Sequence, residues 1–208
     1  AHPRSGKLCA HVYREGYIRT SSTAYTLSKK SRKNKLIHLT NDGVQNKDKK
    51  YGKFEEGNKM NYEEFQDYIT HTNPERSGWV RGAMCQAIDR ILMDVAVASE
   101  DTINPNRRRN CFQLLGCDFM VTDNFEVVLI EINSNPCLEF SSPYLERLLT
   151  GLLEDTFQLT VDRFFPPPKR NCTKATAAAI EHLQQAKQHN RFRLLYQQQP
   201  PQQQESSG

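Results

Sequence analysis

Three side chains that carry oxygen ligand atoms lie close together in residues 112–136, which read FQLLGCDFMVTDNFEVVLIEINSNP. They are Asp118, Glu131 and Asn133. The flanking segments are apolar and rich in β-forming residues, and Thr122-Asp123-Asn124 has the composition of a turn. The spacing predicts a β-hairpin with Asp118 opposite the region of Glu131. Glu131 and Asn133 are two residues apart and should share one face of their strand.

Two carboxylates and an amide oxygen that converge in this way suit a hard cation such as Mg²⁺, which takes few protein ligands and keeps positions for water and phosphate. The simpler alternative is a hairpin with one polar face. Leu114, Leu115 and residues 127–130 are apolar at both odd and even positions, so both faces of each strand would be apolar. This is typical of a strand buried on both faces. A carboxylate in such a strand is costly to bury unless it is paired or metal-bound. The pattern therefore favours the metal site.

Composition limits the classes of partner. The 208 residues suffice for one domain and a tail. The formal charge is +4, and basic residues cluster at 29–33, 47–53, 107–109 and 169–170. Such clusters suit a polyanionic partner such as a nucleotide, a nucleic acid or an acidic protein tail, although a single cluster is more often a solvated loop.

The six cysteines are scattered and form neither C-x-x-C pairs nor zinc-finger spacing with histidine, which argues against zinc. No signal peptide is recognisable, so a reducing cytosol is the expected compartment. No apolar run reaches the roughly 18 residues that a bilayer-spanning helix needs. We therefore expect no membrane partner.

Two short β segments are predicted before the first helix. Residues 8–20 are expected to form a hairpin with Gly16 in its turn. Residues 36–41 are expected to form an apolar strand that ends at Thr40-Asn41. The charged residues 46–59 are predicted to form a long loop, and long loops in compact domains are often functional.

Three helices are predicted from apolar spacing and capping residues. The first covers residues 61–70, with Asn61 as its cap. The second covers residues 79–100. The third begins at Ser142-Pro143 and includes Phe157. We expect residues 1–168 to form the folded domain. Residues 169–196 are expected to form a helical extension, and the Gln/Pro/Ser-rich residues 197–208 a disordered tail.

Two further segments carry groups that could contact phosphate. Arg19 follows an alternating strand and could present its guanidinium to phosphate oxygens. Thr40 and Asn41 offer a hydroxyl and an amide at a strand end. Individually, Arg19 is more often a surface charge and Thr40-Asn41 is more often a turn.

Together and in this order, these segments resemble the tubulin–tyrosine ligase family over about residues 12–168. The resemblance rests on Tyr13-Arg14-Glu15-Gly16, Ile18-Arg19-Thr20-Ser21-Ser22, His38-Leu39-Thr40-Asn41, Tyr51-Gly52-Lys53-Phe54-Glu55-Glu56-Gly57-Asn58, Gly116-Cys117-Asp118-Phe119-Met120 and Leu129-Ile130-Glu131-Ile132-Asn133-Ser134-Asn135-Pro136. The basic loop and the Tyr-Gly-Lys segment resemble the tyrosine ligase itself. Residues 132–139 look more like its relatives, the polyglutamylases and glycylases.

The resemblance implies an α+β fold that forms the C-terminal portion of an ATP-grasp domain, with an antiparallel sheet and packed helices. In that fold ATP and Mg²⁺ lie between two lobes. The implied reaction is ATP-dependent amide-bond formation on the acidic C-terminal tail of tubulin. ATP phosphorylates a carboxylate, and the amine of a free amino acid (Tyr, Glu or Gly) then attacks the acyl-phosphate.

The resemblance also implies residue roles. Asp118, Glu131 and Asn133 match the family's metal ligands. Arg19 matches an arginine beside the transferred phosphate, and Thr40-Asn41 matches residues that line the ATP phosphates and the acceptor site. Arg19 and Glu131 are the expected catalytic residues, and no nucleophile is expected in the protein.

One part of the family pattern is missing. Residues 1–10 read AHPRSGKLCA and lack the Lys and the Asp-x-Arg motif that precede this region in the family. The family's N-terminal and central parts are also absent from the sequence. We therefore expect the C-terminal part of the enzyme, with activity of this chain alone left open.

Two alternatives to a tubulin ligase remain. The chain could be an inactive, truncated homologue that binds microtubules or acidic tails through its basic loops, or an ATP-grasp ligase with a non-tubulin acceptor. Nucleic-acid binding is least favoured, because the basic runs are short and lack interleaved aromatic residues. The expected location is the cytoplasm and the microtubule cytoskeleton, which includes cilia and basal bodies.

Overall fold

The computed structural model describes residues 6–162, 164–165 and 190–199. They form mixed helices and small antiparallel sheets. The strands are β1 (Cys9–Tyr13), β2 (Ile18–Arg19), β3 (Lys59–Met60), β4 (Gly116–Val121), β5 (Val127–Asn133) and β6 (Phe192–Gln197). The α-helices are α1 (Lys35–His38), α2 (Asp42–Gln45), α3 (Tyr62–Thr72), α4 (Cys85–Ile103) and α5 (Pro143–Thr160).

The described strands form three two-stranded antiparallel sheets, in which β1 pairs with β6, β2 with β3, and β4 with β5. The hairpin predicted for residues 8–20 is therefore wrong, although both of its strands exist. Each strand finds a partner far away in the chain. In the β1–β6 sheet, Tyr13 lies opposite Phe192, and their ring centroids are 4.9 Å apart.

The strand predicted for residues 36–41 is also wrong, because Lys35–His38 forms the helical turn α1. The cause is local. Asn34 precedes the turn in an extended conformation, and its side chain accepts a hydrogen bond from the Leu36 amide. This is N-terminal capping, which stabilises a helix start.

The three longer helices are confirmed. Asn61 and Glu64 form a reciprocal capping box at the start of α3. A π-helical stretch, Val80–Met84, leads directly into α4, which ends at Ile103 before Asn104-Pro105. Ser142 caps α5 by accepting a hydrogen bond from the Leu145 amide at 3.2 Å.

The described residues divide into two compact units. Unit 1 contains residues 6–14, 87–136 and the described residues after 151. Unit 2 contains Glu15–Gln86 and Cys137–Gly151. Most buried apolar side chains lie in unit 2, where Val80 and Met84 are almost fully enclosed and α5 contributes three leucines, Leu145, Leu148 and Leu149.

The helical extension predicted for residues 169–196 lies mainly outside the described residues. Its last part is not helical, since Phe192–Gln197 forms β6. Just before β6, Arg191 Nε donates to Asp155 Oδ2 at 2.8 Å, and within β6 Arg193 pairs with Asp89. Of the predicted tail at 197–208, only residues 197–199 are described. Within the described part of the chain, no helix has the length and apolarity to cross a bilayer.

Candidate functional site

The predicted hairpin at residues 112–136 forms from β4 and β5. Asp118 lies directly opposite Glu131 in the register, and Gly116 lies opposite Asn133. The turn has residues 123–124 at its tip, as predicted. Local turn chemistry between two apolar, β-forming segments thus specifies this pairing.

A β-bulge decides which way Glu131 faces. Asp118 pairs with Glu131, but the next residue of β4, Phe119, pairs with Leu129, so Ile130 is an extra residue on β5. Before the bulge, Val127 and Leu129 are half-buried; after it, Ile132 is half-buried instead. After the bulge, the even-numbered rather than the odd-numbered side chains face the half-buried side of the strand. Glu131 therefore lies on the more exposed side.

The expected burial of this strand on both faces is wrong for the described residues. Val128 is 48% exposed and Ile130 is 57% exposed. The strand is apolar at both odd and even positions for two other reasons: it contains the bulge, and its outer face carries an exposed apolar strip. Met120 pairs with Val128 in that strip, beside Asp118.

The predicted metal ligands share this outer face. Asn133 Nδ2 donates to Glu131 Oε1 at 3.2 Å, which leaves the amide oxygen of Asn133 as an acceptor. Glu131 and Asn133 are exposed, and Asp118 is half-buried. Oxygen donors that water can reach fit a Mg²⁺ ion that keeps water ligands. No group of three or more His, Cys, Asp or Glu side chains suited to a metal occurs among the described residues, so the set depends on the Asn133 amide.

Arg19, Thr40 and Asn41 belong to unit 2. Arg19 is half-buried in β2, where it pairs with Lys59 of β3. Thr40 and Asn41 form the link between α1 and α2. The exposed Asn41 precedes the first turn of α2, and its carbonyl oxygen accepts hydrogen bonds from the amides of Val44 and Gln45. The candidate residues thus form two groups, one in each unit.

The structure adds an ion pair with a buried lysine that the sequence did not indicate. Lys59 Nζ donates to both carboxylate oxygens of Asp42 at 2.8 Å and to the Gly57 carbonyl at 3.0 Å. The hydroxyls of Tyr51 and Ser141 also donate to Asp42, each at 3.2 Å. Burial, followed by the nearby Asp42 charge, raises the pKa of Tyr51.

A second cluster surrounds the segment that leads into β2. Arg81 pairs with Glu15 at 2.9 Å and with Glu63 at 2.5 Å, and its guanidinium lies 5.0 Å from the ring centroid of Tyr62. Burial is the main cause that raises the pKa of Tyr62 to about 12. The hydroxyl of Tyr144 donates to the Gly16 carbonyl at 2.7 Å. These contacts fix the chain three residues before Arg19.

The sequence matches a known protein family. The sequence profile described as "Tubulin-tyrosine ligase family" matches residues 4–173. The chain belongs to the tubulin-tyrosine ligase family. Both groups of candidate residues lie inside the matched region, which confirms the resemblance found in the sequence.

Named relatives in the family include glycylases. The chain is 32% identical to Tubulin glycylase 3A of Drosophila melanogaster over 163 residues, which are 77% of this chain and 16% of the relative. It is 34% identical to Protein monoglycylase TTLL8 of Homo sapiens over 73% of this chain and 17% of the relative. It is 30% identical to Inactive polyglycylase TTLL10 of Homo sapiens over 61% of this chain and 19% of the relative. The chain therefore spans less than a fifth of each of these relatives.

Proposed function

We propose that this chain is the metal-binding part of an ATP- and Mg²⁺-dependent ligase that joins a free amino acid to tubulin tails. The observation that carries the proposal is the shared outer face of Asp118, Glu131 and Asn133, in a chain of the tubulin-tyrosine ligase family. The names of two relatives, a tubulin glycylase and a monoglycylase, support amino-acid ligation.

In this proposal the fold is the C-terminal portion of an ATP-grasp domain. Asp118, Glu131 and Asn133 would hold Mg²⁺, which would neutralise charge on the β- and γ-phosphates of ATP. Arg19 stabilises negative charge on the phosphate that is transferred to the acceptor carboxylate. Thr40-Asn41 binds phosphate oxygens or the acceptor through its hydroxyl and amide. Catalysis then rests on positioning and charge, without a protein nucleophile.

The exposed basic residues of unit 2 support an acidic acceptor. Every lysine and arginine in residues 29–35 is exposed, and so are the four lysines at 47, 49, 50 and 53. Clustered positive charge attracts an anionic chain and speeds its association, an effect that salt weakens. The acidic tail of tubulin, in cytoplasmic microtubules or in cilia, is the acceptor that this charge favours.

The donor amino acid is assigned by testing the three candidates side by side. The names of the relatives favour glycine, whereas the Tyr-Gly-Lys segment at 51–53 resembles the tyrosine ligase. The assay incubates the 208-residue chain, and in parallel any longer natural polypeptide that contains it, with tubulin, ATP and Mg²⁺. Labelled Gly, Tyr and Glu are supplied separately, and label on tubulin and ADP formation are both measured.

We expect one donor to be incorporated and Glu131→Gln to reduce its incorporation at least about 100-fold, since this substitution removes a charged metal ligand. Glu126→Gln is the matched control, because Glu126 is an exposed glutamate of the same hairpin outside the predicted ligand set. It should retain full activity.

Three results would contradict the proposal in different ways. Microtubule binding without incorporation of any donor would support an inactive binding homologue. ADP formation that depends on a donor, without label on tubulin, would support a different acceptor. Equal losses in Glu131→Gln and Glu126→Gln would remove Glu131 from the site.

A further inference from the structure

Gln45, the last residue of α2, is completely buried, with 0% of its surface exposed. Its Oε1 accepts from the Ser22 amide at 2.9 Å and from Asn58 Nδ2 at 3.4 Å. Its Nε2 donates to the carbonyls of Leu36 at 3.1 Å and Leu39 at 2.6 Å. All four hydrogen-bonding positions of the amide are therefore used.

Asn58 is the second buried amide, with 3% of its surface exposed and a positive φ of 52°. Its Oδ1 accepts from the Gly52 amide at 2.8 Å, and its Nδ2 donates to Ser22 Oγ at 2.8 Å. Asn58 also contacts both the amide and the carbonyl of Thr20. The Thr20 amide donates to the Asn58 carbonyl at 2.9 Å, and Asn58 Nδ2 approaches the Thr20 carbonyl at 3.4 Å.

The two amides join three segments that carry or flank the candidate residues of unit 2. Thr20 and Ser22 follow Arg19, and Leu39 precedes Thr40. The third segment, Glu56–Asn58, leads into β3, which pairs with β2. The β2–β3 pairing thus connects the first segment with the third. Among the described residues, the segment at 36–40 has no strand pairing, and side chains connect it to the first segment: the Gln45 amide, and the Ser21 hydroxyl that donates to the Leu36 carbonyl at 2.5 Å.

We propose that Gln45 and Asn58 form a buried amide hub that holds Arg19 and Thr40-Asn41 in one fixed arrangement. They are positioning residues for the phosphate side of the site, and this inference rests on the proposed function. Uncharged amides suit the role, because each loses little to burial once its donors and acceptors are satisfied. A fixed arrangement matters, since a displacement of about 1 Å at a catalytic group can lower the rate about 100-fold.

Hydrogen exchange of the backbone amides tests the hub without any activity. The variant Gln45→Met keeps the length of the side chain and removes its hydrogen bonds. The matched control is Gln66→Met in α3. Gln66 also fixes backbone in unit 2, accepting from the Val80 amide at 2.8 Å and donating to the Arg76 carbonyl at 3.0 Å, and no hydrogen bond links it to the hub.

We expect Gln45→Met to speed exchange about tenfold in both residues 19–22 and residues 36–41. Gln66→Met should speed exchange around residues 76–80 and leave those two segments unchanged. Faster exchange in the same segments for both variants would overturn the hub. Faster exchange confined to α2 in Gln45→Met would overturn it as well.

A milder variant covers the case in which Gln45→Met does not fold. Ser22→Ala removes the nearest acceptor of Asn58 Nδ2 and keeps the bond from the Ser22 amide to Gln45. We expect faster exchange at residues 19–22 together with a kcat lowered about 10-fold at unchanged KM for the amino acid. In an Arg19→Lys background the same Ser22→Ala change should alter kcat less than about twofold, because the hub acts through Arg19.

Additive effects of Ser22→Ala and Arg19→Lys would overturn the positioning role. Absence of incorporation by both the 208-residue chain and the longer polypeptide would overturn the proposed function instead. The exchange pattern would then decide the hub alone, so the two failures are distinguishable.

Discussion

The ion pair between Lys59 and Asp42 should respond very differently to removal of one partner or the other. The side chain of Lys59 is 2% exposed, whereas that of Asp42 is 38% exposed. In Lys59→Met, the remaining carboxylate can be hydrated and keeps the hydroxyls of Tyr51 and Ser141. In Asp42→Asn, the remaining ammonium is enclosed, with the Gly57 carbonyl and a neutral amide as its nearest acceptors.

The expected magnitudes follow from this asymmetry. Lys59→Met loses charge-assisted hydrogen bonds and should reduce the free energy of unfolding by about 1.5–3 kcal/mol. Asp42→Asn leaves a buried charge without its counter-charge and should reduce it by about 3–5 kcal/mol. With a urea dependence of about 2 kcal/mol/M, the two midpoints should fall by about 1 M and about 2 M.

The assay is urea unfolding followed by tryptophan fluorescence. Trp79 is the single tryptophan of the chain, and it is buried in unit 2, the unit that holds the ion pair. Its emission therefore reports unfolding of the relevant unit. The double variant Asp42→Asn/Lys59→Met should lose less than the sum of the single losses, because it leaves no unpaired charge.

An equal or larger loss in Lys59→Met than in Asp42→Asn would refute the reasoning from burial. Additive losses in the double variant would show that the two side chains do not stabilise each other. Either result would mean that the pair is solvated in solution.

Two further predictions concern Tyr62. Burial raises its pKa from 10.0 to about 12, so its contribution to stability is complete below pH 10 and is lost as the pH rises through about 12. Tyr62→Phe should therefore flatten the pH dependence of the urea midpoint between pH 10 and 12, and an unchanged slope would contradict the assignment. Gly16→Ala would place a Cβ 2.5 Å from the Tyr62 hydroxyl oxygen and 3.0 Å from Cζ, and should reduce the free energy of unfolding by about 1–3 kcal/mol. Tyr62→Phe should recover part of that loss, because it removes the closer atom, and no recovery would place the strain elsewhere.

The part of the candidate site that could be predicted from sequence is the part that local chemistry builds. Apolar segments rich in β-forming residues on both sides of Thr122-Asp123-Asn124 define the hairpin, and its register sets Asp118 opposite Glu131. The bulge at Ile130 was not predicted, since neither Gly nor Pro marks it. The run of apolar residues that contains the bulge was instead interpreted as a strand buried on both faces.

Long-range pairing was not predictable from one sequence. β1 and β2 are close in the chain, yet β1 pairs with β6 and β2 pairs with β3. Periodicity shows that a segment suits a strand, but it carries no information on which distant edge satisfies its hydrogen bonds.

The buried polar residues were missed for a related reason. Asn58 and Lys59 lie in the charged residues 46–59, which were predicted to form a loop, and Gln45 directly precedes them. Each is buried only because partners from other segments complete its hydrogen bonds. Composition cannot show such partners, and a buried polar side chain has no periodic pattern of its own.

The bulge at Ile130 also determines how this strand can be compared between relatives. A relative that lacked one residue between Leu129 and Glu131 would need no bulge, because ordinary alternation would already place its carboxylate on the face of Asp118. A relative of the same length that paired without the bulge would instead turn the carboxylate to the opposite face, although a position-by-position alignment would still show a matching Glu. Retention of the predicted metal site in a homologue should therefore be judged from the strand pairing at this bulge, together with the identity of the ligands.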